Sequence, residues 1–319
     1  MIRRRTLLST AIAASAALGL AACSDDSSNS AASDAGGASD GGGNALDSVT
    51  FGTDLDAEPT VEFEAPLSIT APEAQEVVPG DGDALAEGDT IIWNSLFVDA
   101  SSGEVLQSWW QGAPAGGVQV TSDAIGEQAF GFLTTAAVGA RFAMAGWQQD
   151  ASGTAVSLIQ VSDILRKVEP LRAEGEEQEA SGDYPAVTLA EDGAPSLDST
   201  PEGEAPTETV REVLIEGDGE DTTREGDYLT MHYTGWNWET GEQFDSSWER
   251  GAPFSFVQGQ QQVITGWDEN LLDLPVGSQV MLVIPPAEAY GEEGESESEL
   301  AGQTLLFVID VLDAAHTRD

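Results

Sequence analysis

The strongest constraint on the fold is the alternation of apolar and polar residues in the last third of the chain. Leu229, Met231 and Tyr233 alternate with polar residues, as a strand with one buried face requires. The same kind of pattern marks further strands at Val213 and Ile215, at Phe254 and Phe256, at Val280, Leu282 and Ile284, and at Leu305, Phe307, Ile309 and Val311. These stretches predict an antiparallel sheet.

A short helix is predicted between two of these strands. It runs from Asp268 to Leu274 and places Leu271 and Leu274 on one side, and Pro275 ends it. A sheet with one covering helix makes an α+β layer.

Aromatic residues in the same region stand beside Gly, Pro or Asp, where the backbone turns. The blocks are His232-Tyr233-Thr234-Gly235, Phe244-Asp245-Ser246-Ser247, Val263-Ile264-Thr265-Gly266-Trp267 and Ala289-Tyr290-Gly291. An apolar cleft with a few fixed polar groups is the general form of a site for a small ligand. Phe256 fits better as a core residue, and His232 points away from Tyr233 and has a structural role.

These blocks, in this order, resemble the FKBP-type peptidyl-prolyl isomerases over about residues 207–313. The resemblance implies an antiparallel sheet wrapped around a short helix, with prolyl isomerase activity and no cofactor or metal. It implies that Trp267 is the pocket floor, that Asp245 is the pocket carboxylate, and that the Tyr290 hydroxyl and the Ile264 backbone N–H bind a carbonyl of the ligand. The implied catalytic residues are Tyr233, Phe244, Asp245, Trp267 and Tyr290, and the implied substrate-binding residues are Arg250, Phe254, Val263, Ile264, Ala289, Leu300 and Phe307.

The loop after Tyr290 departs from the family pattern. Between Gly291 and Leu300 it carries glutamates where the family usually has aliphatic residues that contact the ligand. We expect weaker binding of macrolide inhibitors and slower isomerisation of prolines that are flanked by acidic residues.

An internal repeat relates residues 78–167 to the second half. Gly80-Asp81-Gly82 recurs as Gly217-Asp218-Gly219, and Val138-Gly139 recurs as Val276-Gly277. The first copy has Ser95 in place of Tyr233 and Leu106-Gln107 in place of Phe244-Asp245. It is therefore predicted to be a degenerate, non-catalytic FKBP-like domain. Trp93, Trp109, Trp110 and Trp147 are interpreted as packing residues, with Trp109-Trp110 as an alternative exposed contact for clients or a partner.

The N-terminus has the features of a secretion signal. Arg3 to Arg5 precede an apolar run, which ends in Leu20-Ala21-Ala22-Cys23. This end resembles the bacterial lipobox, and Cys23 is the one cysteine of the chain, which implies lipidation there and a membrane anchor. The alternative is a plain signal peptide with an incidental cysteine, and the arginines leave the choice between Sec and twin-arginine export open.

The predicted organisation follows from these features. It comprises a lipoprotein signal peptide (1–22), a lipidated Cys and flexible tether (23–78), the degenerate FKBP-like domain (79–168), an acidic linker (169–206) and the isomerase domain (207–319). In the second part of the tether Val61, Phe63, Leu67 and Ile69 alternate in a short strand-like run, which indicates a piece that can dock on the first domain. The fold class is α+β, with two FKBP-like domains.

Composition restricts the partners. The chain has 57 acidic residues against 11 Lys and Arg, a net charge of −46, which excludes nucleic acid as a main partner. The predicted function is a prolyl isomerase that is anchored outside the cytoplasm and helps unfolded or partly folded exported proteins with Xaa-Pro bonds to fold. The alternative is an extracytoplasmic holdase that binds Pro-containing segments with little catalysis. The oligomeric state is left open.

Overall fold

The computed structural model describes residues 44–112, 115–149, 155–179, 184–294 and 296–317. These residues form mostly antiparallel sheets with few helices, and none of the helices among them is long and apolar enough to cross a bilayer. The expected signal peptide, Cys23 and the first part of the tether lie outside the described residues.

The first part of the chain builds one sheet and one small hairpin. Its elements are β1 (Thr50–Phe51), β2 (Val61–Glu62), β3 (Glu73–Val78), β4 (Thr90–Asp99), β5 (Val105–Ser108), β6 (Gly116–Gln119), α1 (Ser122–Leu133), β7 (Arg141–Gln149) and β8 (Ala155–Lys167), with 3-10 turns at Ala45–Ser48 and Trp109–Gln111. β1 pairs with β2, and the first sheet has the order β3-β7-β8-β4-β5, with β6 also paired to β4.

The second part repeats this plan. Its elements are β9 (Gly175–Glu177), β10 (Val187–Leu189), β11 (Pro195–Leu197), β12 (Val210–Gly217), β13 (Tyr228–Asn237), β14 (Gln243–Ser246), β15 (Phe254–Val257), α2 (Thr265–Asn270), β16 (Gln279–Ile284) and β17 (Leu305–Ala315), with a 3-10 turn at Pro286–Glu288. β10 pairs with β11, and the second sheet has the order β14-β13-β17-β16-β12-β9, with β15 also paired to β13.

The two sheets agree in detail as well as in strand order. The path β3-β7-β8-β4 corresponds to β12-β16-β17-β13, and in each sheet two further strands pair with the last strand of this path. The register shifts also correspond. They follow Glu76, Ile92 and Phe97 in the first sheet and Val213, Thr230 and Gly235 in the second.

Helix α2 is placed slightly differently from the sequence prediction. It begins at Thr265, because the Ile264 carbonyl already accepts hydrogen bonds from the amides of Trp267 and Asp268. Asp273 has a φ of 57°, which a right-handed helix does not allow, so the helix ends before it. Leu271 and Leu274 are buried against the sheet, as expected.

Each sheet is covered on both faces. On the helix face of the second sheet, α2 packs on Val280, Leu282 and Ile284 of β16. On the opposite face, residues 184–206, which we call the central strap, cover Trp236, Trp238, Met281, Val283, Leu306 and Val308. Residues 44–69, the upstream strap, cover the corresponding face of the first sheet.

The straps correct two predicted boundaries. The tether was expected to reach residue 78, with a docking piece in its second part; residues 44–69 do pack on the first sheet, and β3 is one of its strands rather than part of a tether. The acidic linker was expected at residues 169–206, yet β9 pairs with β12 and the central strap is packed. Composition hid this packing because a few anchoring side chains, such as Tyr184, Val187 and Leu197, suffice to hold a polar segment.

The two sheets are joined by an apolar cluster and by polar contacts. Trp109 and Ile92 pack with Tyr228 and Leu312 there. Arg166 forms a bidentate ion pair with Asp313, with both nitrogen–oxygen distances at 2.7 Å. Trp110 is also partly buried, beneath the Arg141 guanidinium. Both tryptophans therefore pack into the protein, as interpreted, and the alternative of a contact for clients or a partner at this pair stays a prediction.

Candidate active site

An aromatic cluster lies between the second sheet and α2. The Trp267 ring stands nearly perpendicular to Tyr233 and Phe307, with ring centroids 5.1 and 5.2 Å away. Phe244 meets Phe307 edge to face at 5.5 Å, and Phe254 meets Tyr233 at 5.8 Å. Such edge-to-face contacts hold aromatic rings in fixed orientations. The cluster can therefore offer a rigid apolar surface to a ligand.

Two glycines of the sequence blocks permit this packing. A Cβ on Gly235 would lie 2.6 Å from Phe244 Cζ and 2.8 Å from Phe307 Cε1. A Cβ on Gly266 would lie 2.6 Å from Ile284 Cγ2. Only glycine allows such close approach of backbone and side chain.

A polar triad lies at the edge of the aromatic cluster. The Tyr233 hydroxyl donates to Asp245 Oδ2, and Arg250 Nη1 pairs with Asp245 Oδ1. Arg250 Nη2 also donates to the Tyr233 hydroxyl oxygen at 3.0 Å. The three side chains come from β13, from β14 and from the turn that follows β14. They form a closed set of charge-assisted hydrogen bonds.

Burial raises the pKa of Tyr233 to about 12, and its hydrogen bond to Asp245 acts in the same direction. The phenol therefore stays protonated and remains a donor at neutral pH. Burial, and next the charge of Asp245, also raise the pKa of Tyr290, so this half-exposed tyrosine lies within the field of the carboxylate.

The structure brings the other predicted site residues to the same place. Partly buried apolar side chains pack around the cluster at Phe244, Phe254, Val263, Ile264, Ala289 and Leu300. Leu300 reaches the cluster because its loop folds back, with the Gly302 amide 2.8 Å from the Gly291 carbonyl oxygen. Phe256 is buried in the same core. Within the described residues, no group of three His, Cys, Asp or Glu side chains could hold a metal.

Three further residues support the site: His232, which was expected to be structural, and Ser247 and Trp248, to which the sequence analysis gave no role. Ser247 Oγ accepts a hydrogen bond from the Tyr233 amide at 2.8 Å and lies 2.8 Å from His232 Nδ1. The His232 ring stacks on Trp248 at 4.0 Å. Burial, and then the charge of Arg250, lower the pKa of His232 to about 4, so it is neutral at pH 7. The alternation along the strand, which directs His232 to the face opposite to Tyr233, was the sequence signal that could have indicated these supporting residues.

An antiparallel sheet with one helix on its face and an aromatic cleft between them is the arrangement that the resemblance to the prolyl isomerases implied. The sequence profile described as FKBP-type peptidyl-prolyl cis-trans isomerase matches residues 219–312. Because full-length relatives match as well, the chain belongs to the FKBP-type peptidyl-prolyl cis-trans isomerase family, and it is an enzyme of that type.

Three relatives illustrate the match. An FK506-binding protein of Streptomyces anulatus is 41% identical over 113 residues, which is 35% of this chain and 90% of that protein. FK506-binding protein 1 of Debaryomyces hansenii is 46% identical over 34% of this chain and 96% of that protein. A probable FK506-binding protein of Corynebacterium glutamicum is 43% identical over 36% of this chain and 93% of that protein.

Solved structures match as well, among them that of FkpA from Escherichia coli. It is 30% identical, with a TM-score of 0.31, over 41% of this chain and 53% of that chain.

Proposed function

We propose that the chain isomerises Xaa-Pro bonds of exported proteins, and that it binds the twisted amide in the aromatic cleft of the second sheet. One observation carries the proposal: Tyr233, Asp245 and Arg250 form a polar edge on a cleft of fixed aromatic rings. The other predicted site residues pack around this cleft.

The chemistry of the reaction fits such a cleft. Rotation about an amide bond costs about 18–20 kcal/mol, because resonance is lost. No covalent bond is broken, so no nucleophile is needed. A twisted amide is less polar than a planar one, so an apolar surface favours it over the ground state. Raising the rate from one event in tens of seconds to about 10³ per second requires about 7 kcal/mol of selective stabilisation.

The polar edge would orient the substrate. The Tyr290 hydroxyl and the Ile264 amide would donate to carbonyl oxygens of the peptide, while Arg250 holds Asp245 and Tyr233 in place. Trp267 would form the floor beneath the prolyl ring. The relatives are named for binding FK506, and this chain would bind such a macrolide in the same cleft, weakened by the glutamates after Tyr290.

We also propose that the first sheet and α1 form a degenerate FKBP-like domain without activity. The shared strand order and the matched register shifts support common ancestry of the two halves. At register positions that match those of Tyr233, Asp245, Phe254 and Phe307, the first sheet carries Ser95, Gln107, Gly116 and Gln160. It has lost the aromatic cleft.

Export and anchoring are part of the proposal. The arginines, the apolar run and Cys23 support a lipidated N-terminus, which would hold the enzyme at the outer side of the membrane. Metabolic labelling with a fatty acid tests this directly. The full chain should be labelled and a Cys23→Ala variant should not, and equal labelling of both would reject the anchor.

The activity is tested on the full chain with a matched pair of substitutions. Asp245→Ala should lower kcat/KM on a prolyl peptide by about tenfold or more, because a hydrogen bond to a charged group contributes about 1.5–3 kcal/mol. Gln107→Ala, at the equivalent position of the first sheet, should change it little. A folded chain without turnover that still suppresses aggregation of unfolded clients would favour the holdase.

A further inference from the structure

The central strap makes one contact with the turn that carries active-site residues, from the face of the sheet opposite to the cleft. The strap lies on the face of the second sheet that is opposite to α2, and its β10–β11 hairpin turns at Gly193. Gly193 is buried and has a φ of 100°. A Cβ there would lie 3.1 Å from Trp248 Cη2 and 2.7 Å from Arg172 Cβ. The tip of the hairpin therefore packs directly on Trp248.

Trp248 belongs to the turn that carries the polar edge of the site. It lies between Asp245 and Arg250, and its carbonyl accepts a hydrogen bond from the Gly251 amide at 3.0 Å. The turn is tied to the strand below because the Ser247 amide donates to the Tyr233 carbonyl at 3.0 Å. The indole of Trp248 is fixed between the His232 ring and the hairpin tip.

Arg250 depends on this turn for its position. Its side chain is 46% exposed, and the described residues that it contacts are Asp245 and the Tyr233 hydroxyl and ring. A long exposed side chain loses rotational freedom about several bonds when it forms an ion pair. The pairing is therefore sensitive to the position in which the backbone holds that side chain.

The first sheet retains the same kind of contact. Ser108 and Ser246 occupy the same register position, so Trp110 corresponds to Trp248. Glu58, near the end of the upstream hairpin, accepts hydrogen bonds from Ser108 Oγ at 2.7 Å and Gln111 Nε2 at 3.0 Å. A strap thus holds this turn in both halves. In the second half the turn follows Asp245 and carries Arg250, and these two residues complete the polar edge of the site. The turn of the first half has no Asp or Arg at these places.

We infer that the central strap is part of the catalytic unit: through the packing of Gly193 on Trp248 it positions the turn that holds Asp245 and Arg250 at the cleft. Trp248 is then a positioning residue that acts through Arg250. The inference rests on the proposed function of the cleft. It extends the functional unit beyond the part of the chain that the family profile matches.

The test compares two glycines of the same strap in the full chain. Gly193→Ala introduces a Cβ against Trp248 and against Arg172. Gly203→Ala introduces one at a φ of 92° with nothing within 4 Å, so it reproduces the backbone strain without the contact. Each change is measured in the native background and in an Arg250→Ala background, by kcat/KM on a prolyl peptide and by the thermal midpoint.

Gly193→Ala should lower kcat/KM about three- to tenfold in the native background, because small misplacements of a positioned group are costly. It should have little further effect once Arg250 is absent. Gly203→Ala should change kcat/KM little in either background. An equal loss for Gly193→Ala in both backgrounds, or no loss at all, would overturn the inference.

Hydrogen–deuterium exchange tests the same inference without any turnover. In Gly193→Ala the amides of residues 245–252 should exchange faster than in Gly203→Ala, because the turn has lost its support. Unchanged exchange would overturn the inference even if the enzyme is active. Absent turnover with the expected exchange difference would reject the proposed function and leave the positioning intact.

Discussion

The two sheets share their strand order and their register shifts. They differ in the side chains on the face that the helix covers, at the place where the second sheet has its cleft. In the second sheet this place holds the aromatic rings and the carboxylate of the cleft. In the first sheet Gln160 Nε2 donates to Ser95 Oγ at 3.1 Å, and Ser95 and Ser162 are hydrogen-bonded at 2.7 Å. Side chains at a handful of positions decide whether this scaffold carries a cleft, and the scaffold persists without them.

The sheets also differ at one pair of buried positions that binds a neighbouring segment of the chain. In the first, buried Arg141 pairs with Asp163 and donates to the carbonyls of Gly52, Asp54 and Ala57 in the upstream strap. In the second, Gln279 and Asp310 hold the equivalent positions, and Asp310 accepts from the Ala173 amide at 2.8 Å. The first sheet therefore has a full ion pair where the second has a carboxyl with neutral partners.

Removing a strap should have the largest effect. A fragment of residues 207–319 leaves six apolar side chains of the second sheet uncovered, including Trp236 and Trp238. Burial of each contributes about 1.5–3 kcal/mol, which together rivals a typical stability of about 5–15 kcal/mol. We expect the fragment to lose its cooperative thermal transition by circular dichroism, while a fragment of residues 169–319 keeps it. Equal midpoints for the two would show that the strap is dispensable.

Arg141→Ala should be the most damaging single change in the first half. It leaves the Asp163 carboxylate and three strap carbonyls without their partner, which typically costs about 3–5 kcal/mol. Gln279→Ala, the equivalent change in the second sheet, removes one neutral donor and should cost about 1–3 kcal/mol. Urea unfolding of the full chain followed by tryptophan fluorescence measures both, and the reverse order would break the comparison.

The difference at these buried positions should appear as a pH dependence. Burial raises the pKa of Asp310 from 3.8 to about 6, while its hydrogen bonds to Gln279 and Ala173 oppose the shift. The folded state therefore binds the proton more tightly than the unfolded state does. The associated stability is complete below about pH 4 and is lost as the pH rises through 6, an effect on the order of 3 kcal/mol.

Asp310→Asn should remove this dependence. Relative to the native chain, the free energy of unfolding of the variant should rise between pH 4 and pH 7.5, whatever its absolute value. A constant difference across that range would argue against a buried titrating carboxyl at this position.

Tyr233→Phe should affect activity and leave stability nearly unchanged. It removes the hydroxyl that donates to Asp245 and accepts from Arg250, and one such hydrogen bond corresponds to about a three- to tenfold change in kcat/KM. Ser95→Ala at the equivalent position is the control and should leave kcat/KM unaltered. Because the pKa of Tyr233 is about 12, the activity of the native enzyme should show no loss of this donor below pH 10.

The smallest expected effect concerns a loop that the first sheet lacks. β7 and β8 are joined by a short connection, whereas β16 and β17 are separated by the loop whose sequence carries Glu292, Glu293, Glu295, Glu297 and Glu299. Peptides with Lys beside the proline should be isomerised about two- to fivefold faster than those with Glu at low salt, and salt should reduce the ratio. Changing these five residues to Gln should bring the ratio close to one.

The sequence alone identified the second sheet and its family. The alternation in β13, β16 and β17 depends only on which face of a strand is buried, and this repeats every second residue along the chain. The order of the Tyr233, Asp245, Trp267 and Tyr290 blocks pointed to one known arrangement. Chain composition, however, described residues 184–206 as linker and placed residues 44–69 in the tether, where only the alternating run from Val61 to Ile69 indicated docking.

Tertiary structure decided what covers the outer faces and how the site is held. Whether a polar segment packs depends on a few anchors meeting an apolar face formed by residues far away in sequence, as Val187 and Leu197 meet Met281 and Leu306. The Arg141–Asp163 pair and the contact of Gly193 with Trp248 are of the same kind. Local periodicity contains no information on such contacts between distant residues, because the contacts follow from the way sheets and straps stack in three dimensions.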